Sequence, residues 1–141
     1  MSTEQNRSIV RRWIEEGWNQ GNVGVIDQFY APDVVQHDPG SPVPVTSSAA
    51  LKQYVGAFLT GLPDLHFTID DLIAEGDKVL WRFTGRGTQT GPLMNIPPSG
   101  KVGVSTGMAL FRLADGKIVE VWVNYDLLGL LQQLGVIPAM A

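Results

Sequence analysis

The fold is decided by residues 116–135, which read GKIVEVWVNYDLLGLLQQLG and predict a strand that ends at a carboxylate and continues into a helix. Side chains alternate along a strand, so two faces separate. One face is apolar and is expected to be covered: Val119, Val121, Val123 and Tyr125. The other face becomes aromatic and polar toward its end, as a pocket wall does: Ile118, Glu120, Trp122, Asn124 and Asp126. An acid at the rim of an apolar pocket is a candidate general base, which makes Asp126 the first catalytic candidate.

The composition is that of a globular chain, and we expect one domain over residues 1–141. Apolar residues make up 44% and charged residues 17%, which excludes a disordered chain. The net charge is −4 and no basic stripe exists, so nucleic acid and membranes are poor partners. The chain has no cysteine, which agrees with a cytoplasmic protein, and the polar N-terminus predicts no signal peptide or membrane span.

Three helices are predicted in the first half of the chain. Ser2 and Gln5 can form a capping box before a helix that carries apolar residues to Trp18. A shorter second helix is capped by Asn22 and ends before Pro32, and a loop follows. Thr46 or Ser47 caps the third helix, whose apolar side consists of Leu51, Tyr54, Val55, Phe58, Leu59 and Leu62.

Four antiparallel strands are predicted after Pro63, where the apolar period changes to two. They are expected at residues 67–74, 78–88 and 102–113 and from Lys117 to Asp126. Helices followed by a meander indicate an α+β class with a pocket between the first and third helices and the sheet.

The last hairpin decides which residues share a face, and two turns are possible. A two-residue loop, Asp115-Gly116, puts Arg112 opposite Val119. A three-residue loop that begins at Ala114 puts Leu113 opposite Lys117, and we favour it. On that register Met108 faces Trp122 and Thr106 faces Asn124, so all four side chains join the expected pocket wall.

Several short motifs, taken in order, resemble those of the SnoaL-like polyketide cyclase family, often labelled ester cyclases. They are WNQG at 18–21, VQHDP at 35–39, PDL at 63–65, DDLIAEGDKV at 70–79, GTQTG at 87–91, PPSGK at 97–101 and the final strand–helix stretch. The resemblance implies the cone-shaped α+β fold shared with ketosteroid isomerase, scytalone dehydratase and nuclear transport factor two, in which a curved sheet wraps helices around a deep apolar pocket.

The resemblance also implies functional residues. The family's cyclases use the aspartate that ends the last strand as acid/base in an intramolecular aldol ring closure, and that position is Asp126. The position of His37 lines the pocket in relatives, so His37 is the second catalytic candidate. Gln89 stands where the family often has histidine. The expected substrate-binding residues are Trp18, Gln53, Tyr54, Phe58, Thr106, Met108, Trp122 and Asn124.

Each catalytic candidate also has a structural interpretation. Asp126 stands where a strand meets a helix and suits a helix cap, and His37 could be an ordinary loop histidine. Residues 103–107 spell the esterase pattern G-x-S-x-G, but they lie inside a strand pattern instead of a strand–turn–helix elbow. The two histidines are too far apart for a zinc motif, so we expect neither a metal nor another cofactor.

The expected function is therefore cofactor-independent acid/base catalysis on a hydrophobic carbonyl substrate, either aldol cyclisation or a related C–H deprotonation. One alternative is a non-catalytic small-molecule-binding or scaffold protein. Another is water activation of the hydratase or epoxide hydrolase type. Fold alone does not choose among them.

The sequence also predicts self-association. Helices cover one side of a meander, which would leave the row of Val119, Val121, Val123 and Tyr125 on the other side. Such an apolar row is larger than monomers usually expose. Relatives commonly pair through this sheet face, so we expect a homodimer or a tetramer.

Overall fold

A computed structural model describes residues 2–138 of the chain as five strands and four α-helices. The helices are α1 (Thr3–Arg12), α2 (Ile26–Phe29), α3 (Ser48–Gly61) and α4 (Leu127–Gln133). The strands are β1 (Tyr30–His37), β2 (His66–Glu75), β3 (Lys78–Thr88), β4 (Val102–Ala114) and β5 (Lys117–Tyr125). They form one sheet in the order β1-β5-β4-β3-β2, in which β1 runs parallel to β5 and the other pairs are antiparallel. The α+β class and the curved sheet around the N-terminal helices are confirmed.

The helix starts follow the predicted capping chemistry. Ser2 Oγ accepts a hydrogen bond of 3.1 Å from the Gln5 amide, and Gln5 Oε1 accepts one of 2.8 Å from the Ser2 amide, which completes the capping box. Ser47 caps α3 by accepting a bond from the Ala50 amide. After α1 the chain continues as a π-helix over Trp13–Trp18, which carries the buried aromatic side chains Trp13 and Trp18 into the core.

Strand β1 was not predicted, and the sheet has five strands instead of four. The second helix ends at Phe29, and residues 30–37 extend along β5, with Gln36 opposite Val121 and His37 opposite Trp122. The pairing is irregular between Tyr30 and Val35, around Pro32. Proline cannot donate to a ladder and is tolerated on an edge strand, which is where β1 lies.

The last hairpin has the two-residue loop, so the favoured three-residue loop is wrong. Asp115 and Gly116 both have positive φ, 50° and 79°, as a type I′ turn requires. Leu113 then pairs with Ile118, but an extra residue in β5 shifts the register, so Arg112 pairs with Glu120. Beyond this bulge Leu110 faces Trp122 and Met108 faces Asn124.

The bulge decides which face of β5 is covered. Ile118 and Val121 are both buried, although an undisturbed strand would place them on opposite faces. Val123 and Tyr125 follow Val121 onto the concave side of the sheet, against the helices. The predicted exposed row of valines is therefore wrong, because Val121, Val123 and Tyr125 face the interior.

The core lies between the concave side of the sheet and the helices. Its largest fully buried side chains include Trp13 and Ile14 after α1, Leu51 of α3 and Phe111 of β4. The buried side chains form one contiguous cluster. Within residues 2–138, no helix has the length and apolar character needed to cross a bilayer.

Candidate functional site

An aromatic cavity of about 80 Å³ lies between the first helical segment, α3 and the concave face of the sheet, as predicted. We call it the inner compartment. Its wall includes Trp13, Trp18, Tyr30, Leu51, Tyr54, Phe58, Phe67, Phe83, Phe111, Val121, Val123 and Tyr125. Glycines of β3 and β4 keep this space open. At Gly85 an added Cβ would lie 2.6 Å from the Phe67 ring, so Phe67 can lie flat against the strand.

A second cavity of about 250 Å³ adjoins the inner compartment. We call it the outer compartment. It lies between the loop of residues 38–45, α3 and the turn that carries Leu93 and Met94. Three aromatic side chains, Tyr54, Phe58 and Tyr125, line both compartments, so they form the partition between them.

The polar groups of this partition surround one carboxylate, Asp38. The Tyr54 hydroxyl donates a hydrogen bond of 2.5 Å to Asp38 Oδ2, and the Gly40 amide donates one of 2.8 Å to Asp38 Oδ1. The Tyr125 hydroxyl is buried and has no hydrogen-bond partner among the described residues. A Cβ added at Gly40 would lie 3.3 Å from Asp38 Oδ1 and 3.4 Å from the Tyr125 hydroxyl, so both groups border the same small space.

Both phenols at the partition are held in their neutral form. Burial raises the pKa of Tyr54 above its usual range, and the hydrogen bond to Asp38 and its charge raise it further. Burial also raises the pKa of Tyr125, and the charge of Asp38 adds to the shift. The partition therefore presents two hydroxyl donors beside a carboxylate, and among residues 2–138 only the Tyr54 hydroxyl has a hydrogen-bond partner.

The structure brings half of the predicted substrate-binding residues to these cavities. Trp18, Tyr54 and Phe58 line the inner compartment, and Gln53 lines the outer one. Their contact with a ligand stays a prediction.

The other four predicted binding residues lie on the opposite face of the sheet, so their placement in the pocket wall is wrong. Thr106, Met108, Trp122 and Asn124 line a shallow groove on the convex side, together with Leu80 and Leu110. The four side chains do share one face, as the favoured register predicted, but the helices cover the other face, which carries Val121, Val123 and Tyr125.

Asp126 caps α4 and does not line either compartment. Its Oδ1 accepts a hydrogen bond of 2.9 Å from the Gly129 amide, and its side chain is exposed beside the convex groove. Its main-chain carbonyl accepts a bond from Ser105, the serine of the G-x-S-x-G pattern, which lies within β4. The capping interpretation therefore describes its geometry.

His37 also lies outside both compartments, which contradicts the predicted pocket position. Its Nε2 is 2.7 Å from Glu120 Oε2, and its ring stacks on Trp122 with 5.4 Å between centroids. Arg112 reaches the other oxygen of Glu120 at 3.1 Å. His37 and then Arg112 hold the pKa of Glu120 below its usual value. The side chain of His37 thus ties the end of β1 to β5 on the convex face.

Asp38 is the functional candidate that sequence reasoning missed. It follows β1, a strand that was predicted as loop, and it stands two residues after Gln36, which lines the inner compartment. Had β1 been recognised, alternation would have placed Asp38 on the pocket side. Gln89 is fully buried and donates to the carbonyls of Ile96 and Pro97, which holds the following loop. Among residues 2–138, no three potential ligands from His, Asp or Glu cluster as a metal site would require.

Comparison with known proteins gives the same fold. The model of the SnoaL-like polyketide cyclase family matches residues 8–134. No curated protein matches the chain. A proposed SnoaL-like polyketide cyclase from Jannaschia sp. CCS1 is 27% identical, with 96% of this chain and 95% of that chain covered and a TM-score of 0.88.

Two streptomycete structures are also similar. IdmH of Streptomyces antibioticus, a proposed polyketide cyclase, is 30% identical, with 94% of this chain and 99% of that chain covered and a TM-score of 0.80. AclR of Streptomyces galilaeus, a proposed hydroxylase, is 27% identical, with 99% of this chain and 87% of that chain covered and a TM-score of 0.86. Because the family match extends over nearly the whole chain and these structures share its fold, the protein belongs to the SnoaL-like polyketide cyclase family.

Proposed function

We propose that the protein is a cofactor-independent enzyme that removes a proton from a carbon next to a carbonyl group, with Asp38 as the base. The observation that carries this proposal is the carboxylate of Asp38, which lines the outer compartment, bonds to Tyr54 of the partition and lies near the Tyr125 hydroxyl, a group without a hydrogen-bond partner among residues 2–138. The family supports a polyketide-type substrate, whose 1,3-dicarbonyl units have acidic C–H groups that a carboxylate can deprotonate.

The proposed reaction begins with proton transfer from the substrate carbon to Asp38. The C–H electron pair becomes an enolate, whose oxygen accepts a hydrogen bond from the neutral Tyr125 hydroxyl. A donor aimed at developing charge in a dry site lowers the barrier, and removing one such donor typically slows a reaction about 10²–10³-fold.

Ring closure then follows within the same substrate molecule. The enolate carbon attacks a second carbonyl group and forms a carbon–carbon bond, and the resulting alkoxide takes a proton back from the protonated Asp38. The base is thereby regenerated and no other reactant is consumed. Tyr54 keeps Asp38 oriented throughout, because its hydroxyl is bonded to one carboxylate oxygen.

Proton exchange tests this proposal without knowledge of the natural substrate. Incorporation of deuterium into 2-tetralone, a bicyclic ketone with acidic benzylic α-hydrogens, can be followed by NMR in D₂O. We expect the wild-type protein to accelerate exchange and Asp38→Asn to lose that acceleration at least about 100-fold, because base catalysis contributes this much or more.

Asp126→Asn is the matched control, because it makes the same chemical change in the carboxylate predicted from the family. An amide still accepts the hydrogen bond from Gly129, so the cap of α4 is preserved. Exchange should then equal that of the wild type. Loss of exchange in Asp126→Asn with retention in Asp38→Asn would assign the base to Asp126. A wild-type protein that binds 2-tetralone without exchange would favour the non-catalytic alternative.

A further inference from the structure

Only together do the two compartments reach the usual volume of a ligand-binding site. Binding sites for drug-sized molecules usually occupy about 300–1,000 Å³. Neither the inner compartment, at about 80 Å³, nor the outer one, at about 250 Å³, reaches this range, but together they exceed its lower limit. Because Tyr54, Phe58 and Tyr125 belong to both walls, a single ligand can contact both spaces across this partition.

The outer compartment has an apolar rim. Val43 and Met94 line it from two different loops and remain 65% and 38% exposed. Large apolar side chains at the mouth of a cavity are typical of surfaces that a ligand covers. Pro42 and Pro44 flank Val43 and restrict the backbone of its loop.

Met94 is held in this position at an energetic cost. It has φ of 50° and the next residue, Asn95, has φ of 62°, a conformation that methionine rarely adopts. The turn is closed by mutual hydrogen bonds between Leu93 and Ile96, at 3.1 and 2.8 Å. Strained residues of this kind persist where surrounding contacts enforce them, and they concentrate at ligand-binding sites.

We propose that the outer compartment is a second subsite of the same ligand site and that Met94 and Val43 determine the length of the ligand. The ligand class is an elongated, largely apolar ketone, with one end in the inner compartment and the rest beneath the rim. The position of its carbonyl group beside Asp38 rests on the proposed function, whereas the two-subsite division rests on the cavities alone.

Calorimetric titration with two probes of different length tests this division. The short probe is 4-hydroxyacetophenone, with one ring, and the long probe is 1,8-dihydroxyanthraquinone, with three. The wild type should bind the long probe more tightly. Met94→Trp and Val43→Trp fill the outer compartment, so each should weaken the long probe at least tenfold and change the short probe less than twofold. Ile73→Trp is the matched control, since Ile73 is 58% exposed on the edge strand β2 and should leave both affinities unchanged.

The second rim variant keeps the test decisive if Met94→Trp does not fold, because Val43 is not in the left-handed region. Equal loss of both probes, no loss of either, or a wild type that does not prefer the long probe would overturn the proposal. The measurement requires no turnover, so its outcome does not depend on which residue is the base. A failure of this inference is therefore distinguishable from a failure of the proposed reaction.

Discussion

The Tyr54 hydroxyl lies 2.5 Å from Asp38 Oδ2, which joins the middle of α3 to the residue that follows β1. This bond links a residue of the partition to a residue of the outer compartment. The bond connects α3, the amphipathic helix that was predicted from the sequence, with the end of β1, the edge strand that was not predicted. We expect this hydrogen bond to stabilise the outer compartment and to orient the candidate base, Asp38.

Replacing Tyr54 with Phe should lower both stability and proton exchange. The variant leaves one oxygen of Asp38 without its donor, and hydrogen bonds to charged groups contribute about 1.5–3 kcal/mol. We expect the free energy of unfolding in urea to fall by about this amount. An unchanged free energy of unfolding would mean that water replaces the hydroxyl without loss.

Replacing Tyr125 with Phe should separate the two effects. Its hydroxyl is buried without a partner among the described residues, so its removal relieves an unsatisfied group. We expect the melting temperature to stay the same or rise, while exchange of 2-tetralone falls about 10²–10³-fold because the enolate loses its donor. A variant with full exchange activity would remove Tyr125 from the reaction.

The elements with a clear apolar period could be predicted from the sequence. Strand β3 has the predicted bounds, Lys78–Thr88, and α3 begins after one of the two predicted caps. Strand β1 could not be predicted in the same way, because proline interrupts its pattern and its partner, β5, lies some 85 residues away and runs parallel to it.

The predicted site was less accurate because it depended on which side of the sheet the helices cover. The two-residue loop and the extra residue in β5 together leave Thr106, Met108, Trp122 and Asn124 on one face, as the favoured loop would. That face is convex, and the helices cover the face of Val121, Val123 and Tyr125 instead. The helical residues Trp18 and Phe58 were placed well, because a helix presents its apolar side whatever the strand register.

The contribution of Asp126 to stability, as the N-cap of α4, can be measured directly by substitution. Asp126→Ala removes the acceptor of the Gly129 amide and should lower the free energy of unfolding by about 1 kcal/mol. Asp126→Asn and Asp126→Ser should recover most of it. If all three substitutions were neutral in urea unfolding, the cap would contribute nothing measurable.

Asp64 should make the free energy of unfolding depend on pH in the acidic range. Its carboxylate accepts bonds from the Thr88 amide at 2.6 Å and the Thr88 hydroxyl at 2.8 Å, which lower its pKa in the folded state. A lowered pKa stabilises the fold above the unfolded value of about 3.9, and that contribution is lost as pH falls through the folded pKa.

We therefore expect Asp64→Asn to be less stable than the wild type near pH 7, with a difference that shrinks below about pH 4. Thermal unfolding across this range measures it. Asp33→Asn is the control, because the exposed carboxylate of Asp33 accepts no hydrogen bond among residues 2–138. A wild-type advantage that persists unchanged to about pH 2 would rule out Asp64 as its source.

Self-association remains a prediction, but the structure moves the expected interface to the convex face. Val121 is only 2% exposed and lines the inner compartment, so it cannot contact a second copy of the chain. The convex groove instead contains Leu80, Leu110 and Trp122, with Met108 50% exposed. Burying such side chains stabilises an interface by roughly 25 cal/mol per Å² of apolar surface, before the costs of association.

Light scattering at micromolar concentration should show a homodimer, because this groove would otherwise leave apolar side chains in water. Leu110→Glu places a charge at its centre and should yield particles of 15.3 kDa that remain folded. Val43→Glu, on the rim of the outer compartment, should leave the dimer intact. Val121→Glu should unfold the protein, because it buries a carboxylate in the aromatic cavity. A wild type of 15.3 kDa at every concentration would disprove the dimer, and a dimeric Leu110→Glu would place its interface elsewhere.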